Sequence, residues 1–418
     1  MNPILPINHF VPDAEAHQWE DGKMYIYGSY DISGNTTYCS HEYRVFSSEN
    51  LIEWTDHDVS FRSMGEKKDI PWEVQSLYAP DCICKNEKYY LYFCTANNGE
   101  GVATSNSPFG PFKDAIPVKG AHMDAIDPAI FIDDDGQAYL YWGQFNARGA
   151  KLKENMCEIH PETLCTNLIN EKEHGFHEGS SMRKRNGIYY LVYADISRGR
   201  PTCLSYATSK SPLGPFVKGG VIIDNSGCDP ETWNNHGSIA EFNGEWYIFY
   251  HRSSQNSRFS RRVCIEPITF NEDGSISEVE MTTQGVTGAL DPSIKMDAYR
   301  SCKISGETYI DAQNDMEYLK VLNSGDWAAY KYFDFKENLN TFKATAASMR
   351  YAGEIEIRID SADGKVIGVC DIDATGGWEN WKTFSTKVEK VTGVHAVYLV
   401  FKGQWGRPFN IKDFKFSK

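Results

Sequence analysis

The chain has 418 residues with a formal net charge of −15 and a pI near 5.2. Because one hydrophobic core rarely organises so long a chain, we expect two domains, one of them large. The acidic surface argues against nucleic acid and anionic membrane as partners, since both attract positive surfaces, and favours a neutral ligand. Composition leaves the oligomeric state open.

Aromatic residues make up 13% of the chain, including 24 Tyr and 10 Trp. Long helical patterns are hard to find, so the composition predicts an all-β protein. The N-terminal segment MNPILPINHFVPDAEAHQWEDG has neither a basic start nor an apolar stretch of signal-peptide length. The 11 cysteines, scattered mostly as single residues, are then expected to be reduced thiols. We therefore predict a cytoplasmic protein.

The first 250 residues contain a repeated unit. Five segments align as hairpins, each with a polar residue at the start of its first strand, a turn, and an aromatic second strand. The polar residues are Asp13, Asp81, Asp127, Glu178 and His236, and the turns lie at Gly22, Asn86, Gly136, Gly187 and Gly244. The segment ATSNSPFGPF at 103–112 returns as ATSKSPLGPF at 207–216, which predicts a third strand in each unit.

Units of about 50 residues with several strands each are typical of a β-propeller. We therefore predict a five-bladed β-propeller over residues 1–290 and a connection at 291–301. Short strands between glycine turns, such as EIEIRID and AVYLVFKG, predict a β-sandwich (jelly-roll) domain over 302–418. In a propeller, the residues that begin the innermost strands converge at one end of the axis.

Those residues include three carboxylates from different blades: Asp13, Asp127 and Glu178. Hydrolysis of a glycosidic bond needs one protonated carboxyl group and one carboxylate that activates water or attacks directly. A third carboxylate raises the pKa of the acid by repulsion. Taken singly, an Asp beside proline is more often a turn residue, and Asp81 at the same repeat position illustrates that alternative.

His236 begins the fifth unit. It is either a hydrogen-bonded core histidine or, at an axial position, a residue that orients water around a central cation.

Two parts of the sequence resemble known families. Residues 1 to about 285 resemble glycoside hydrolase family 43 in the Pro12-Asp13 motif, YAPD, Ile126-Asp127-Pro128, His177-Glu178-Gly179 and His236-Gly237-Ser238. Residues from about 302 resemble a family 6 carbohydrate-binding module in segments such as GDWAAYKYFDF, TGGWENW and FNIKDFKF.

The resemblance implies an inverting enzyme with Asp13 as general base, Glu178 as general acid and Asp127 as the residue that tunes the acid's pKa. Asp13 is followed by Ala-Glu-Ala rather than the usual Pro-Ser, which leaves Glu15 as a rival base. Arg261 best matches an arginine near the pKa-tuning aspartate, with Arg262 as the alternative. Plausible pocket walls are Trp19, Trp72, Trp142 and Phe145.

For the second domain, the resemblance makes Trp378 and Asn410 candidates for sugar contact, as a stacking platform and an amide. Asp311, Gln313 and Asp413 match positions that often hold a structural calcium. His236 resembles the histidine near a central calcium. Calcium is therefore the expected cofactor, structural in role.

The resemblance implies an exo-acting α-L-arabinofuranosidase that removes arabinose from xylan-derived oligosaccharides. A β-xylosidase is the nearest alternative, because the same carboxylates serve both. Two further alternatives are a sugar-binding propeller without catalysis and a retaining fructan-type hydrolase.

Overall fold

A computed structural model describes residues 1–72, 74–97, 99–121, 125–314, 316–336, 339–403 and 407–418. Five antiparallel sheets follow one another along the first two thirds of the chain, four of four strands and the last of three. Their strands, in chain order, are β1 (Glu15–Gln18), β2 (Met24–Tyr27), β3 (Glu42–Ser48) and β4 (Thr55–Arg62); β5 (Leu77–Lys85), β6 (Lys88–Thr95), β7 (Glu100–Ser105) and β8 (Lys113–Pro117); β9 (Ala129–Ile132), β10 (Ala138–Trp142), β11 (Asn146–Lys151) and β12 (Cys165–Asn170); β13 (Phe176–Arg185), β14 (Ile188–Asp195), β15 (Cys203–Ser209) and β16 (Val217–Ile223); and β17 (Ser238–Phe242), β18 (Glu245–Ser254) and β19 (Ser257–Pro267). A single-turn helix, α1 (Glu171–His174), precedes β13.

The predicted hairpin turns join the first and second strands of every sheet. At Asn186-Gly187 and Asn243-Gly244 both residues have positive φ, between 50° and 88°. A two-residue turn of this kind matches the twist of the paired strands, and asparagine and glycine adopt it at the lowest cost. The turn chemistry read from the sequence therefore sets the hairpin register.

The first strand of each sheet lies at the centre of the molecule. Neighbouring first strands contact one another around a ring, β1 with β5, β5 with β9, β9 with β13, β13 with β17, and β17 with β1. The aromatic second strands fill the space between adjacent sheets. The predicted five-bladed propeller is confirmed.

The start of the chain completes the last blade. The backbone amide of Ile4 donates to the carbonyl of Val263 at 3.1 Å. The side-chain oxygen of Asn2 accepts from the amide of Ile265 at 2.9 Å. These contacts place residues 2–4 beside β19, so the ring is closed by joining the two ends of the propeller.

The remaining residues form the predicted β-sandwich. One sheet has the order β22-β23-β30-β25-β28 with β20 also paired to β30, and the other has β21-β24-β29-β26-β27. The strands are β20 (Met296–Asp297), β21 (Lys303–Ile304), β22 (Tyr309–Gln313), β23 (Met316–Lys320), β24 (Trp327–Phe335), β25 (Thr341–Ala347), β26 (Gly353–Ile359), β27 (Val366–Ile372), β28 (Lys382–Lys387), β29 (Gly393–Gly403) and β30 (Asn410–Ser417). Since β20 and the 3₁₀ turn Ala298–Arg300 pack in this core, residues 296–300 of the predicted connection belong to the sandwich.

The two domains share a packed interface. Ala329, Ala396 and Tyr398 of the sandwich lie in one apolar cluster with residues of the fourth and fifth blades. A buried ion pair joins Arg262 of β19 to Glu317 of β23, with 2.7 Å between Nη2 and Oε1. The sandwich is therefore fixed against the strand that carries Arg261.

No helix among the described residues is long and apolar enough to cross a membrane.

Candidate active site

A pocket of about 430 Å³ opens at one end of the propeller axis. Four of the five polar residues predicted at strand starts line it: Asp13, Asp127, Glu178 and His236. The other lining residues are Tyr38, Cys39, Tyr78, Ile126, Gln144, Phe145, His177, Arg200, Trp233, Asn234 and Arg261. The repeat position therefore identified the polar centre of the pocket.

Asp13 lies just before β1 and is almost completely buried. Its carboxylate accepts from Ser29 Oγ at 2.7 Å and from Arg261 Nη1 at 3.1 Å. Its own backbone amide donates to Nδ1 of His251 at 3.3 Å, which assigns the His251 proton to Nε2. Burial raises the pKa of Asp13, but the charge of Arg261, with contributions from His236, His251 and Ser29, outweighs it and holds the pKa below its usual range. Asp13 is therefore ionised at neutral pH, as a general base must be.

Arg261 is fixed by two carboxylates. Its Nε and Nη2 each bond to Asp31 at 2.9 Å, and Nη1 reaches Asp13. The guanidinium carbon of Arg261 lies 4.8 Å from the ring centroid of Tyr38. A planar fork holds two carboxylates in fixed orientation, which a lysine cannot do. Arg261 was predicted beside the pKa-tuning aspartate and as a substrate ligand, but the structure bonds it to Asp13, the predicted base.

Asp127 and Glu178 form the second half of the site. Oδ2 of Asp127 accepts from the backbone amide of Gly179 at 3.1 Å, so Asp127 holds the residue that follows Glu178. Burial, and then repulsion from Glu178 and Asp13, raise the pKa of Asp127 well above its usual value. Two carboxyl groups that repel one another retain a shared proton to a higher pH than either would alone. A proton is therefore held at Asp127, beside the predicted general acid.

Glu178 is partly exposed to the pocket. Its Oε2 accepts from Nε2 of Gln144 at 2.8 Å. The pairing of β13 with β14 is irregular on both sides of Glu178. A bulge of this kind re-aims a side chain, here toward the pocket.

His236 connects the two halves. Its Nδ1 lies 3.7 Å from Oδ1 of Asp13 and 4.0 Å from Oδ2 of Asp127. A side chain at Gly179 would come within 2.9 Å of the His236 ring, and the φ of 73° also favours glycine there. Gly179 therefore allows Glu178 and His236 to approach.

Of the aromatic residues predicted as pocket walls, only Phe145 lines the pocket. It is 47% exposed, and its ring packs edge-on against His177. Trp142 is completely buried in the apolar cluster between the second and third blades, so its prediction as a substrate ligand is wrong. Trp72 is exposed and Trp19 is half-buried, but neither lines the pocket.

Several residues around Asp13 and the mouth of the pocket were not predicted from the sequence. Asp31, Ser29 and His251 orient Asp13 and Arg261, and Arg200 and Trp233 line the mouth. They lie in second strands or in loops outside the repeat position, so no sequence signal marked them.

The fifth polar residue at a strand start, Asp81, has another role. Its carboxylate accepts from the backbone amides of Ile130 and Cys82 at 2.8 and 2.7 Å. It therefore fixes the geometry of two inner strands. This is the structural role that the sequence left open for it.

The only described residues grouped closely enough to hold a metal are Glu15, His17 and Asp81, all buried. However, Glu15 already bonds to Arg183 at 2.9 Å, and His17 to Asp81 at 2.8 Å. Calcium takes about six to eight oxygen ligands in proteins, and this group offers two carboxylates that already bind a guanidinium and an imidazole. It does not match calcium. Glu15 also faces Arg183 rather than the pocket, which removes it as a rival base.

The predicted contacts of the second domain are also changed. Asn410 is completely buried, and its Nδ2 donates to the carbonyl of Trp378 at 2.9 Å. Asn410 also accepts from Arg407, whose guanidinium carbon lies 3.8 Å from the centroid of the Trp378 ring. Asn410 is therefore not available to a sugar, and one face of Trp378 is covered.

The predicted calcium ligands of the second domain are not brought together. Asp311 on β22 pairs with Lys320 at 3.0 Å, and Asp413 on β30 accepts from Thr345 at 2.7 Å. Strand β23 separates β22 from β30.

Comparisons with known proteins place this geometry in a family. The model for "Glycosyl hydrolases family 43" matches residues 1–276, and the model for "Carbohydrate binding module (family 6)" matches residues 294–418. The arabinoxylan arabinofuranohydrolase of Bacillus subtilis (strain 168) is 31% identical, and the match covers 100% of this chain and 92% of that protein.

Two further relatives agree. The xylosidase/arabinosidase of Thermoclostridium stercorarium is 29% identical, over 96% of each chain. The crystal structure of the family 43 arabinoxylan arabinofuranohydrolase from Bacillus subtilis in complex with cellotetraose superposes with a TM-score of 0.59 at 30% identity, covering 100% of this chain and 97% of that one. The predicted resemblance and glycoside hydrolase activity are confirmed: the chain belongs to glycosyl hydrolase family 43 and carries a C-terminal family 6 carbohydrate-binding module.

Proposed function

We propose that the protein is an inverting exo-glycosidase, an α-L-arabinofuranosidase that removes arabinose side groups from xylan-derived oligosaccharides. The observation that carries the proposal is the unequal environment of the carboxyl groups. Asp13 is kept ionised by Arg261, whereas burial and then repulsion from Glu178 and Asp13 raise the pKa of Asp127, so that it holds a proton beside Glu178. One site therefore holds an ionised carboxylate and a protonated carboxyl group, which is the pairing that glycoside hydrolysis needs.

In the proposed reaction, Asp13 accepts a proton from water as the water oxygen attacks the anomeric carbon. Arg261, Ser29 and the backbone contact to His251 hold the carboxylate in one orientation, so the attacking water is positioned as well as activated.

At the same time, Glu178 donates its proton to the glycosidic oxygen as the bond from that oxygen to the anomeric carbon breaks. The products are the free sugar with inverted configuration and the shortened oligosaccharide. Exchange with solvent then returns a proton to Glu178 and removes one from Asp13. Asp127 supports the donor through the proton that it holds nearby and through its bond to Gly179.

The substrate proposal rests on the relatives. Two of them are named for arabinoxylan or for arabinosidase activity. The second is also named a xylosidase, which supports β-xylosidase or dual activity as the alternative. The sugar-binding role without catalysis is disfavoured because the base and acid environments are both intact.

The experiment compares wild type with Glu178→Gln and Asp13→Asn on two substrates, a nitrophenyl arabinofuranoside and an arabinoxylan oligosaccharide. We expect Glu178→Gln to lower kcat by about 10²- to 10⁴-fold on the oligosaccharide. The loss should be much smaller on the nitrophenyl substrate, whose leaving group needs no proton. Asp13→Asn should lower both rates strongly. Glu173→Gln, on the exposed side of α1, is the matched control with wild-type rates.

Equal losses on both substrates in Glu178→Gln would contradict its role as acid. Retained configuration in the first product, followed by NMR, would instead indicate a retaining hydrolase. A faster rate on the matching nitrophenyl xyloside would favour the xylosidase.

We also infer a cytoplasmic location, for which the support is chemical: the 11 cysteines are all free thiols. A water-mediated cation beside His236 remains a prediction, and no step of the reaction above depends on it.

A further inference from the structure

Arg200 is held at the mouth of the pocket, in the loop between β14 and β15. Its guanidinium carbon lies 4.1 Å from the ring centroid of Trp233, and its Nη2 lies 3.3 Å from Nε2 of His177. Nδ1 of His177 is bonded to Glu171 at 2.9 Å, so that nitrogen carries the ring proton and Nε2 accepts from Arg200. The guanidinium is therefore fixed at two points while the residue remains exposed.

The neighbouring arginines differ from Arg200 in one respect. Arg258 packs on the same Trp233 ring at 4.3 Å, but it is paired with Glu231 at 3.0 Å. Arg261 is paired with Asp13 and Asp31. Within the described part of the chain, Arg200 has no carboxylate within ion-pair distance. Among the arginines described at the pocket mouth, its charge is thus the one that a ligand can pair with.

The position of Arg200 indicates which part of the substrate it meets. It bonds to His177, the residue next to Glu178, and the acid must stand beside the leaving-group oxygen. The other half of the site holds Asp13, whose negative charge repels any anion on the sugar to be released. An acidic group can therefore be accommodated only on the leaving-group side.

Building on the function proposed above, we infer that Arg200 is a specificity-determining residue that binds a carboxylate on the leaving group. The substrates favoured by this contact are oligosaccharides in which a uronic acid substituent lies close to the sugar that is removed. A guanidinium binds a carboxylate through two parallel hydrogen bonds, and stacking on Trp233 pre-orients it for that contact.

The test uses two arabinosylated oligosaccharides of the same size. One carries a glucuronic acid substituent on the backbone, and the other has this carboxyl group reduced to a primary alcohol. We expect wild type to favour the acidic form about tenfold in kcat/KM at low ionic strength, and the preference to shrink as salt is added. In Arg200→Gln the ratio of the two values should fall to about one.

Arg258→Gln is the matched control, because it removes an equal charge from the same tryptophan but its guanidinium already has a carboxylate partner. We expect it to retain the preference of wild type. The inference is overturned if wild type shows no preference, or if the two variants lose it equally, which would reflect overall charge alone. An equal loss on both substrates in Arg200→Gln, with the ratio preserved, overturns it as well.

Binding separates this inference from the proposed reaction. In the Glu178→Gln background, calorimetry gives Kd for both oligosaccharides with Arg200 present or replaced by Gln. A preference for the acidic form that disappears with Arg200 supports the inference even where turnover is absent. Turnover of the reduced substrate without any preference supports the proposed function and overturns the role of Arg200.

Discussion

Trp233 at the propeller pocket and Trp378 in the module each carry a guanidinium over the ring, at 4.1 and 3.8 Å. The two pairs differ in what the arginine bonds to. Arg407 bonds to Asn410, which is buried and also holds the backbone of Trp378. Arg200 bonds to one histidine nitrogen and faces the pocket.

This difference in hydrogen-bond partners shows that an arginine stacked on a tryptophan does not by itself define a ligand site. In the module, the polar partners are internal, so the group stabilises a loop between β27 and β28. At the propeller mouth, the polar partners leave the charge of Arg200 exposed beside the carboxyl groups of the pocket. We therefore expect substitutions in the propeller pocket to change the rate of hydrolysis, and substitutions around Trp378 to change the stability of the module.

The largest expected effect is on the pH dependence of the propeller site. Asp127→Asn keeps an oxygen that can accept from Gly179 but removes the buried carboxyl group whose raised pKa holds a proton beside Glu178. The alkaline limb of kcat/KM should then move to lower pH, with a loss of about 100-fold at pH 8, because the proton held by Asp127 is no longer present in the site. The acid limb, set by Asp13 with its pKa below 3.8, should stay in place.

The pH profile of kcat/KM measures this shift. Asp311→Asn in the module is the control and should leave both limbs unchanged. An unmoved alkaline limb in Asp127→Asn would show that the proton held by Asp127 does not set that limb.

A smaller effect is expected when the buried amide of the module is removed. Asn410→Ala leaves the carbonyl of Trp378 and the guanidinium of Arg407 without their partner, so the free energy of unfolding should fall by about 1–3 kcal/mol. Urea unfolding gives this value, and Asn380→Ala, an exposed amide of the same loop, is the control. An unchanged stability with weaker sugar binding would assign Asn410 to a ligand site and contradict its structural role.

The smallest effect is expected at Trp378. Because one face of its ring is covered and its neighbouring amide is internal, Trp378→Ala should change kcat/KM on short oligosaccharides less than about twofold. Retention on insoluble arabinoxylan, measured by sedimentation, should also be little changed. A clear loss of retention would show that the ring is a sugar platform despite Arg407.

The sequence predicted which carboxyl groups line the pocket, because a repeat places them. Asp13, Asp127, Glu178 and His236 begin inner strands, and inner strands of a propeller share one end of the axis. Asp81 shares that repeat position but bonds to backbone amides, a difference that depends on side-chain direction and so is not visible in a pattern.

The aromatic residues were harder to place. Trp142 lies on a second strand, where both faces of the sheet pack against neighbouring blades. A tryptophan buried there cannot be distinguished in the sequence from one that lines a pocket. Asp31, Arg200 and Trp233 meet the site only through the tertiary fold. Pairing such residues needs three-dimensional distances that spacing along the chain does not contain.

Joining the start of the chain to β19 has a consequence for how activity arises during folding. Asp13 and Arg261 are separated by 248 positions, and they meet only when residues 2–4 have docked beside Val263 and Ile265. Contacts between such distant segments form slowly, since the loop must close before the contact is gained. The return of enzymatic turnover after denaturation would therefore report the last step of folding, later than the return of β-structure in the individual blades.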